Sequence, residues 1–135
     1  MNQSNREYFD KQVGWVLVHL PRKILRLLLE IPLHVEDQPS KRLMEDLKID
    51  NPDELCGCFS GVPFSGLASI HFLSACGDMP SSVTIFRRGI VAASRNEWGK
   101  VCRSELRQQI RITILHELAH LHGMDEDEIA DIGYG

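Results

Sequence analysis

The sequence predicts a protein that combines helices with a few short strands. In residues 6–19, apolar side chains recur at nearly helical spacing. A second apolar run extends from Glu105 to His116, with no proline or glycine before Gly123, and predicts a buried helix. Residues 83–87 are β-branched or aromatic at most positions, which favours a strand. Helices are therefore expected towards both ends of the chain, with strands between them.

The first third of the chain predicts two helices, a strand and a third helix. Residues 6–19 are predicted to form the first helix. The apolar residues in and directly after it that lie close to helical spacing are Phe9, Val13, Val16, Leu17 and Leu20. Pro21 suits the first turn of a helix and opens a second one through Leu29, so the two make a helical N-terminal layer. Leu33–Glu36 is a predicted strand, and turn residues after it lead into a helix over Lys41–Leu47.

Residues 50–82 are rich in Gly, Pro, Ser and Cys, a composition that predicts turns and short strands. A small hairpin is expected around residues 59–62 and a loop near residues 74–82. If the protein is an enzyme, its substrate specificity would depend on the shape of loop residues 64–82.

The length and charge of the chain limit its organisation and its partners. At 135 residues, the chain is expected to form one domain over residues 1–135. Its net charge of -4 gives no basic field for nucleic acid or an anionic membrane. No stretch reaches the roughly 18 apolar residues of a membrane span, and the polar first ten residues lack the cationic start of a secretory signal. A cytoplasmic protein of open oligomeric state is therefore expected.

The strongest chemical signal is His116-Glu117-Leu118-Ala119-His120, within the predicted C-terminal helix. Residues four apart lie on one face of a helix, so His116 and His120 can offer two imidazole nitrogens to one metal ion. Glu117 is then placed to take a proton from a water that the metal activates. This arrangement is typical of zinc-dependent hydrolases, and Zn²⁺ is the expected cofactor.

Two histidines leave a catalytic zinc site incomplete, because such a site has three protein ligands and an open position for water. Gly123 suits the end of the helix and lets the chain turn back towards the metal. Glu126 lies ten residues after His116, which is the offset of the third ligand in the longer zinc-protease pattern. Asp125 and Asp127 flank it and remain alternatives.

Two other interpretations of the motif stay open. In one, His116 and His120 are ordinary partnered histidines and Glu117 is a solvated charge. In the other, the chain binds zinc or a partner peptide without hydrolysing it. A fourth protein ligand, such as Asp127 or Asp131, would favour this inactive binding module, because structural zinc sites have no open position.

The chain has four cysteines, expected to be reduced in a cytoplasmic protein: Cys56, Cys58, Cys76 and Cys102. Cys56-Gly57-Cys58 would be half of a second metal site in one interpretation. Its spacing and the lack of a paired motif favour a structural role instead.

Residues 8–135 resemble the short bacterial zincin-like metallopeptidases, also called minimal zincins. The specific part of the resemblance is the segment 111–120 together with Gly123 and the closing Gly133-Tyr134. Weaker pieces occur in the same order at residues 35–39 (Val-Glu-Asp-Gln-Pro), 57–63 (Gly-Cys-Phe-Ser-Gly-Val-Pro) and 83–90 (Val-Thr-Ile-Phe-Arg-Arg-Gly-Ile).

The resemblance implies a compact α+β fold, in which a small mixed sheet packs on the active-site helix. It also implies a zinc metallopeptidase that acts on peptides or unfolded proteins through His116, His120 and Glu126, the last at a position where the family often has aspartate. By analogy with zincins, the strand at 83–87 is expected to be the sheet edge that receives an extended peptide. Tyr134 is a candidate for stabilising the oxyanion, with hydrophobic packing at the C-terminus as the alternative.

Overall fold

The computed structural model of the protein describes residues 1–61 and 81–121. These ranges contain both helices and strands in a mixed α+β arrangement, as predicted. The helices are α1 (Gln3–Val18), α2 (Arg22–Glu30), α3 (Lys41–Leu47), α4 (Arg87–Ser94) and α5 (Arg103–Leu121). A 3-10 turn covers Pro52–Glu54, and the strands are β1 (Leu33–Glu36), β2 (Gly57–Ser60) and β3 (Ser82–Phe86). Among these described helices, none combines the length and the apolar character needed to cross a membrane.

The three described strands form a mixed sheet in the order β1-β3-β2. β1 runs parallel to β3, with Val35 opposite Ile85. β2 runs antiparallel to β3, with Gly57 opposite the same Ile85. The strand β3 is therefore hydrogen-bonded on both sides.

The expectation that residues 83–87 form the peptide-receiving edge is wrong, because β3 occupies the centre of the sheet. Val83 and Ile85 have no exposed surface, and such fully buried β-branched residues are typical of a strand that is covered and paired on both sides. The two outer strands of the described sheet are β1 and β2, and β2 is the one that packs on α5. The strand β3 also ends one residue earlier than predicted, since Arg87 begins α4.

One face of the sheet packs on α5 and the other is polar. Phe59, Val83 and Ile85 belong to the same buried cluster as Ile114 and Leu118 of α5. Side chains alternate between the two faces of a strand, so the neighbouring positions point away from this core. These polar positions line a cleft beside α3 and include His34, Glu36, Ser60, Ser82 and Thr84.

The helix α5 is central because a stripe of its apolar residues faces the core at every fourth position. Leu106, Ile110, Ile114 and Leu118 are each at most 2% exposed. The N-terminal helix α1 packs along α5 through its own buried positions, Phe9, Val13 and Val16. The expected N-terminal helical layer is thus confirmed, and the structure adds that its helix α1 packs on α5.

Local signals place most of the predicted elements correctly. β1 and α3 have the predicted bounds, and the side chain of Ser40 caps α3 by accepting a hydrogen bond from the Leu43 N–H at 3.1 Å.

The helix α4 was not predicted. Its Gly89 lies so close to Leu55 that a Cβ atom would be 1.9 Å from the Leu55 carbonyl oxygen, a contact invisible in the sequence. Of the expected hairpin at 59–62, Phe59 and Ser60 end β2, which pairs with β3, and residue 62 lies outside the described ranges. Of the expected loop at 74–82, residues 74–80 lie outside the described ranges and Ser82 begins β3.

A charged network ties α1 to the end of β1 and the start of α4. The Asp37 carboxylate accepts hydrogen bonds from Arg6, with a shortest contact of 2.7 Å, and from Arg87 at 2.9 Å. Arg87 also donates two hydrogen bonds to Asp10, at 3.0 and 2.9 Å. The hydrogen bond that Arg6 donates, together with the one from Arg87, holds the pKa of Asp37 below its ordinary value of 3.8.

Replacing Asp37 by asparagine is expected to lower the free energy of unfolding by about 1 kcal/mol at pH 7, a value kept small by solvent screening. A carboxyl group whose pKa is lowered by folding stabilises the protein above its unfolded pKa. The gap between wild type and variant should therefore be full above pH 3.8 and close as the pH falls through the lower folded pKa. Urea unfolding at several pH values, with the exposed Asp50→Asn as control, measures this, and a gap that widens in acid contradicts it.

Candidate metal centre

His116 and His120 face each other on the last turns of α5. Their Nε2 atoms are 3.0 Å apart, and their half-buried rings meet edge to face with centroids 4.7 Å apart. Four residues advance an α-helix by slightly more than one turn, so this pairing follows from the spacing alone.

The separation of the two nitrogens suits a shared zinc ion. Zinc binds imidazole nitrogen at about 2.0–2.1 Å, and tetrahedral geometry then puts two such nitrogens about 3.3 Å apart. The observed 3.0 Å differs from that value by a few tenths of an ångström. Two imidazoles alone do not complete a site, and residues 1–61 and 81–121 hold no group of three His, Cys, Asp or Glu side chains that could bind a metal ion. A third ligand would have to come from the remaining residues.

Glu117 lies under β2 and is only 9% exposed. A Cβ atom at Gly57 would be 3.3 Å from the Glu117 Cγ, 2.8 Å from the Thr113 Cγ2 and 3.0 Å from the Thr84 carbonyl oxygen. The Thr113 hydroxyl donates to the Gln109 carbonyl oxygen at 2.7 Å, which holds its methyl group towards the strand. Glycine at position 57 is therefore what lets β2 pass this close to Glu117.

Gly57 and Thr113 are residues of this site that the sequence analysis missed. A glycine inside a strand marks a close approach of another group to the backbone, and that signal is present between Cys56 and Cys58. The two flanking thiols suggest metal binding more readily than they suggest a steric role for the glycine between them.

Phe59, two residues after Gly57 on the same face of β2, forms the apolar side of the site. Its ring stacks at 26° to that of His120, with centroids 6.1 Å apart, and it is 3% exposed. Phe59 therefore borders the His120 ring, and this packing leaves the ring less room to rotate.

The cysteines within the described residues are Cys56, Cys58 and Cys102. Burial raises the pKa of the half-buried Cys56 thiol, and the negative charge of Glu117 raises it further. Cys58 points into the cleft on the polar face of the sheet. Cys56 is therefore disfavoured as a thiolate ligand, since metals bind the deprotonated form.

The other predicted site residues lie outside the described ranges. They are Glu126, its alternatives Asp125 and Asp127, the possible fourth ligand Asp131, and Tyr134, together with Gly123. Their roles stay predictions.

Comparison with known proteins shows a match between residues 28–135 and the family model of the zincin-like metallopeptidases. The chain belongs to this family. The match starts within α2 and covers the sheet, α5 and the His116 and His120 positions, so the zincin-like fold class inferred from the resemblance is confirmed. Zincin-like metallopeptidases are zinc-dependent peptidases in general, which associates this chain with zinc and with peptide substrates. A comparison with curated proteins gives no match.

Proposed function

We propose that this zincin-like chain, as one domain, hydrolyses peptide bonds at a zinc site held by His116, His120 and a third ligand. The observation that carries the proposal is the pair of Nε2 atoms at 3.0 Å, beside a glutamate that β2 covers. Imidazole is a preferred zinc ligand, and a carboxylate next to two such ligands is the usual proton acceptor of metal-assisted hydrolysis.

Zinc would supply Lewis acidity, lowering the pKa of water and polarising the scissile carbonyl. Glu117 would accept the proton of the attacking water and then deliver it to the leaving amine. Its low exposure supports this role, because a carboxylate shielded from bulk solvent interacts more strongly with charges that develop beside it. The Cγ methylene group of Glu117 packs against Gly57, which limits where this part of the side chain can lie.

We further propose Glu126 as the third ligand, with Asp125 and Asp127 as alternatives. Its support is its position ten residues after His116 and the preference of zinc for oxygen, nitrogen or sulfur donors. Tyr134 is proposed as a donor to the oxyanion, with packing at the C-terminus as its alternative.

The substrate is proposed to be an extended, flexible peptide. It would lie beside β2, and not beside β3, which was first expected to receive it. β2 carries Gly57 above Glu117 and Phe59 beside His120, so a chain aligned with β2 would pass over both groups. Main-chain pairing accepts many sequences, and modest selectivity is therefore expected.

A peptide library incubated with the zinc-loaded protein tests the proposal, with the Glu117→Gln variant as control and mass spectrometry as readout. Cleavage of extended peptides by the wild type alone is expected. Methylating the backbone nitrogens near a cleaved bond should slow cleavage, because it removes donors for strand pairing. If the wild type cuts no more peptides than Glu117→Gln does, yet retains peptides on a column, the protein is a binding module.

Replacing Gly57 by alanine is expected to leave zinc bound and to lower kcat about tenfold, with a loss of stability of about 1–3 kcal/mol from overpacking. The new methyl group meets Thr113 and the backbone of Thr84, so the strain displaces Glu117 from its position. Adding Thr113→Ser removes the nearest methyl group and should restore part of both losses. Gly14→Ala is a matched control, because a Cβ there meets nothing within 4 Å. Full turnover with unchanged stability in Gly57→Ala would disprove this role of the glycine.

The double variant Cys56→Ser, Cys58→Ser is expected to keep its zinc. The spacing of the two thiols lacks a paired motif, and burial and Glu117 disfavour the Cys56 thiolate. Metal analysis of the purified variant measures the zinc content. A fall from about two ions per chain to one would reveal a second metal site.

A further inference from the structure

The helix α5 carries a second concave site on the side away from His116 and His120. The described residues of α1 and α5 enclose a groove of about 490 Å³, within the ~300–1,000 Å³ typical of small-molecule sites. Its lining residues are Trp15, Val16, His19, Ser104, Arg107, Gln108, Arg111, Ile112 and Leu115. At about 100° per residue, the α5 members of this set are centred about 130° around the helix from the metal-site pair.

The floor of the groove is apolar. Val16 and Leu115 are 3% and 2% exposed and belong to the core, and the half-buried Ile112 adjoins them. The indole of Trp15 forms one wall and is 41% exposed. Such a floor would bind a hydrocarbon chain or an aromatic ring by excluding water from both surfaces.

The rim of the groove is cationic. Arg107 stacks on Trp15, with its guanidinium carbon 3.8 Å from the ring centroid, and donates to the neutral Gln12 side chain at 2.8 Å. Arg111 has no hydrogen bond or ion pair with any residue in the described ranges. Within residues 1–61 and 81–121, none of the residues that line the groove is acidic. Two guanidinium groups thus adjoin an apolar floor, and no carboxylate among these described lining residues neutralises them.

We propose that this groove binds a small amphipathic carboxylate, an aliphatic or aromatic acid. Its apolar part would pack on the floor, and its carboxylate would pair with Arg107 and Arg111. Arginine suits this partner because its planar donors match the two oxygens of a carboxylate. His19 closes the far end of the groove by stacking on Trp15 at a centroid distance of 3.8 Å and donating from Nδ1 to the Trp15 carbonyl oxygen at 2.7 Å.

The site is separate from the proposed peptidase function and does not depend on it. Trp15, Val16 and His19 precede residue 28, where the match to the zincin-like family begins. The α1 wall of the groove is therefore an addition to the part of the chain that matches the family.

Tryptophan fluorescence provides a direct test, because the chain has two tryptophans and the other, Trp98, is 76% exposed. In a Trp98→Phe background of the zinc-loaded protein, octanoate is titrated while the emission of Trp15 is recorded. A saturable change is expected, with half-saturation on the order of 1 mM for so small a ligand. The uncharged 1-octanol should bind at least ~10-fold more weakly, because it cannot form the charged hydrogen bonds.

Two variants locate the binding site. Arg111→Gln should weaken octanoate binding ~10-fold. The substitution breaks no hydrogen bond between Arg111 and another described residue, so an effect on binding reports on the ligand. Arg103→Gln, exposed on the same helix but outside the groove, should change nothing. His116→Ala should retain binding, which separates the groove from carboxylate bound at the metal. The proposal is overturned by the absence of saturation, by equal binding of 1-octanol, by full affinity in Arg111→Gln or by loss of binding in His116→Ala.

Discussion

Replacing Glu117 by glutamine is expected to leave zinc bound while lowering peptide turnover ~10²–10⁴-fold, the usual contribution of a general base. The amide has nearly the same shape as the carboxylate and fits the same space beside Gly57. It can still hydrogen-bond to water, but it cannot accept a proton at neutral pH. Metal analysis and kcat on a peptide cleaved by the wild type measure the two effects.

The control for this variant is Glu105→Gln, which makes the same chemical change at an exposed position in the first turn of α5. It should keep both zinc and turnover. Loss of zinc from Glu117→Gln would make Glu117 a metal ligand, and unchanged turnover would remove its catalytic role.

The second large effect is expected from His116→Ala and His120→Ala, which should each lower zinc affinity by more than ~100-fold. Changes to groups that only support a ligand already weaken binding by about 10–100-fold, and removing a ligand leaves a site with two protein donors at most. Metal content after dialysis against a weak chelator measures the loss. Circular dichroism should show that α5 stays folded, because its apolar stripe from Leu106 to Leu118 is unchanged.

His34→Ala provides a matched control, since His34 is exposed on β1 and lies on the polar face of the sheet. It should retain zinc fully. Full zinc retention in both the His116 and the His120 variant would refute the proposed site.

The pairing of His116 with His120 is the clearest feature that could be predicted from local sequence alone. Helical periodicity determines that residues four apart share a face, and the apolar run before His116 predicts the helix that carries them. The same kind of local evidence correctly predicted β1 and α3, whose turn and capping residues are adjacent in the chain. These features needed no knowledge of the tertiary structure.

Strand order could not be predicted in the same way. The β-branched residues of β3 indicate a buried strand, but a sequence does not state which neighbours pair with it. β1 and β2 approach β3 from opposite sides, one parallel and one antiparallel, over separations of roughly 50 and 25 residues along the chain. The expected edge strand was wrong for this reason, and the proposed peptide position moved to β2.

The sequence by itself determined the helix with the His116-Glu117-His120 constellation, the resemblance to the zincin-like family and the helical N-terminal layer. Each of these depends on residue type and on spacings within a few turns of chain. The tertiary structure alone decided that β3 is central, that Gly57 admits Glu117 beneath β2, and that α1 and α5 enclose a cationic groove. These features arise between elements distant in the chain, where packing and steric contact, and not local propensity, determine which residues meet.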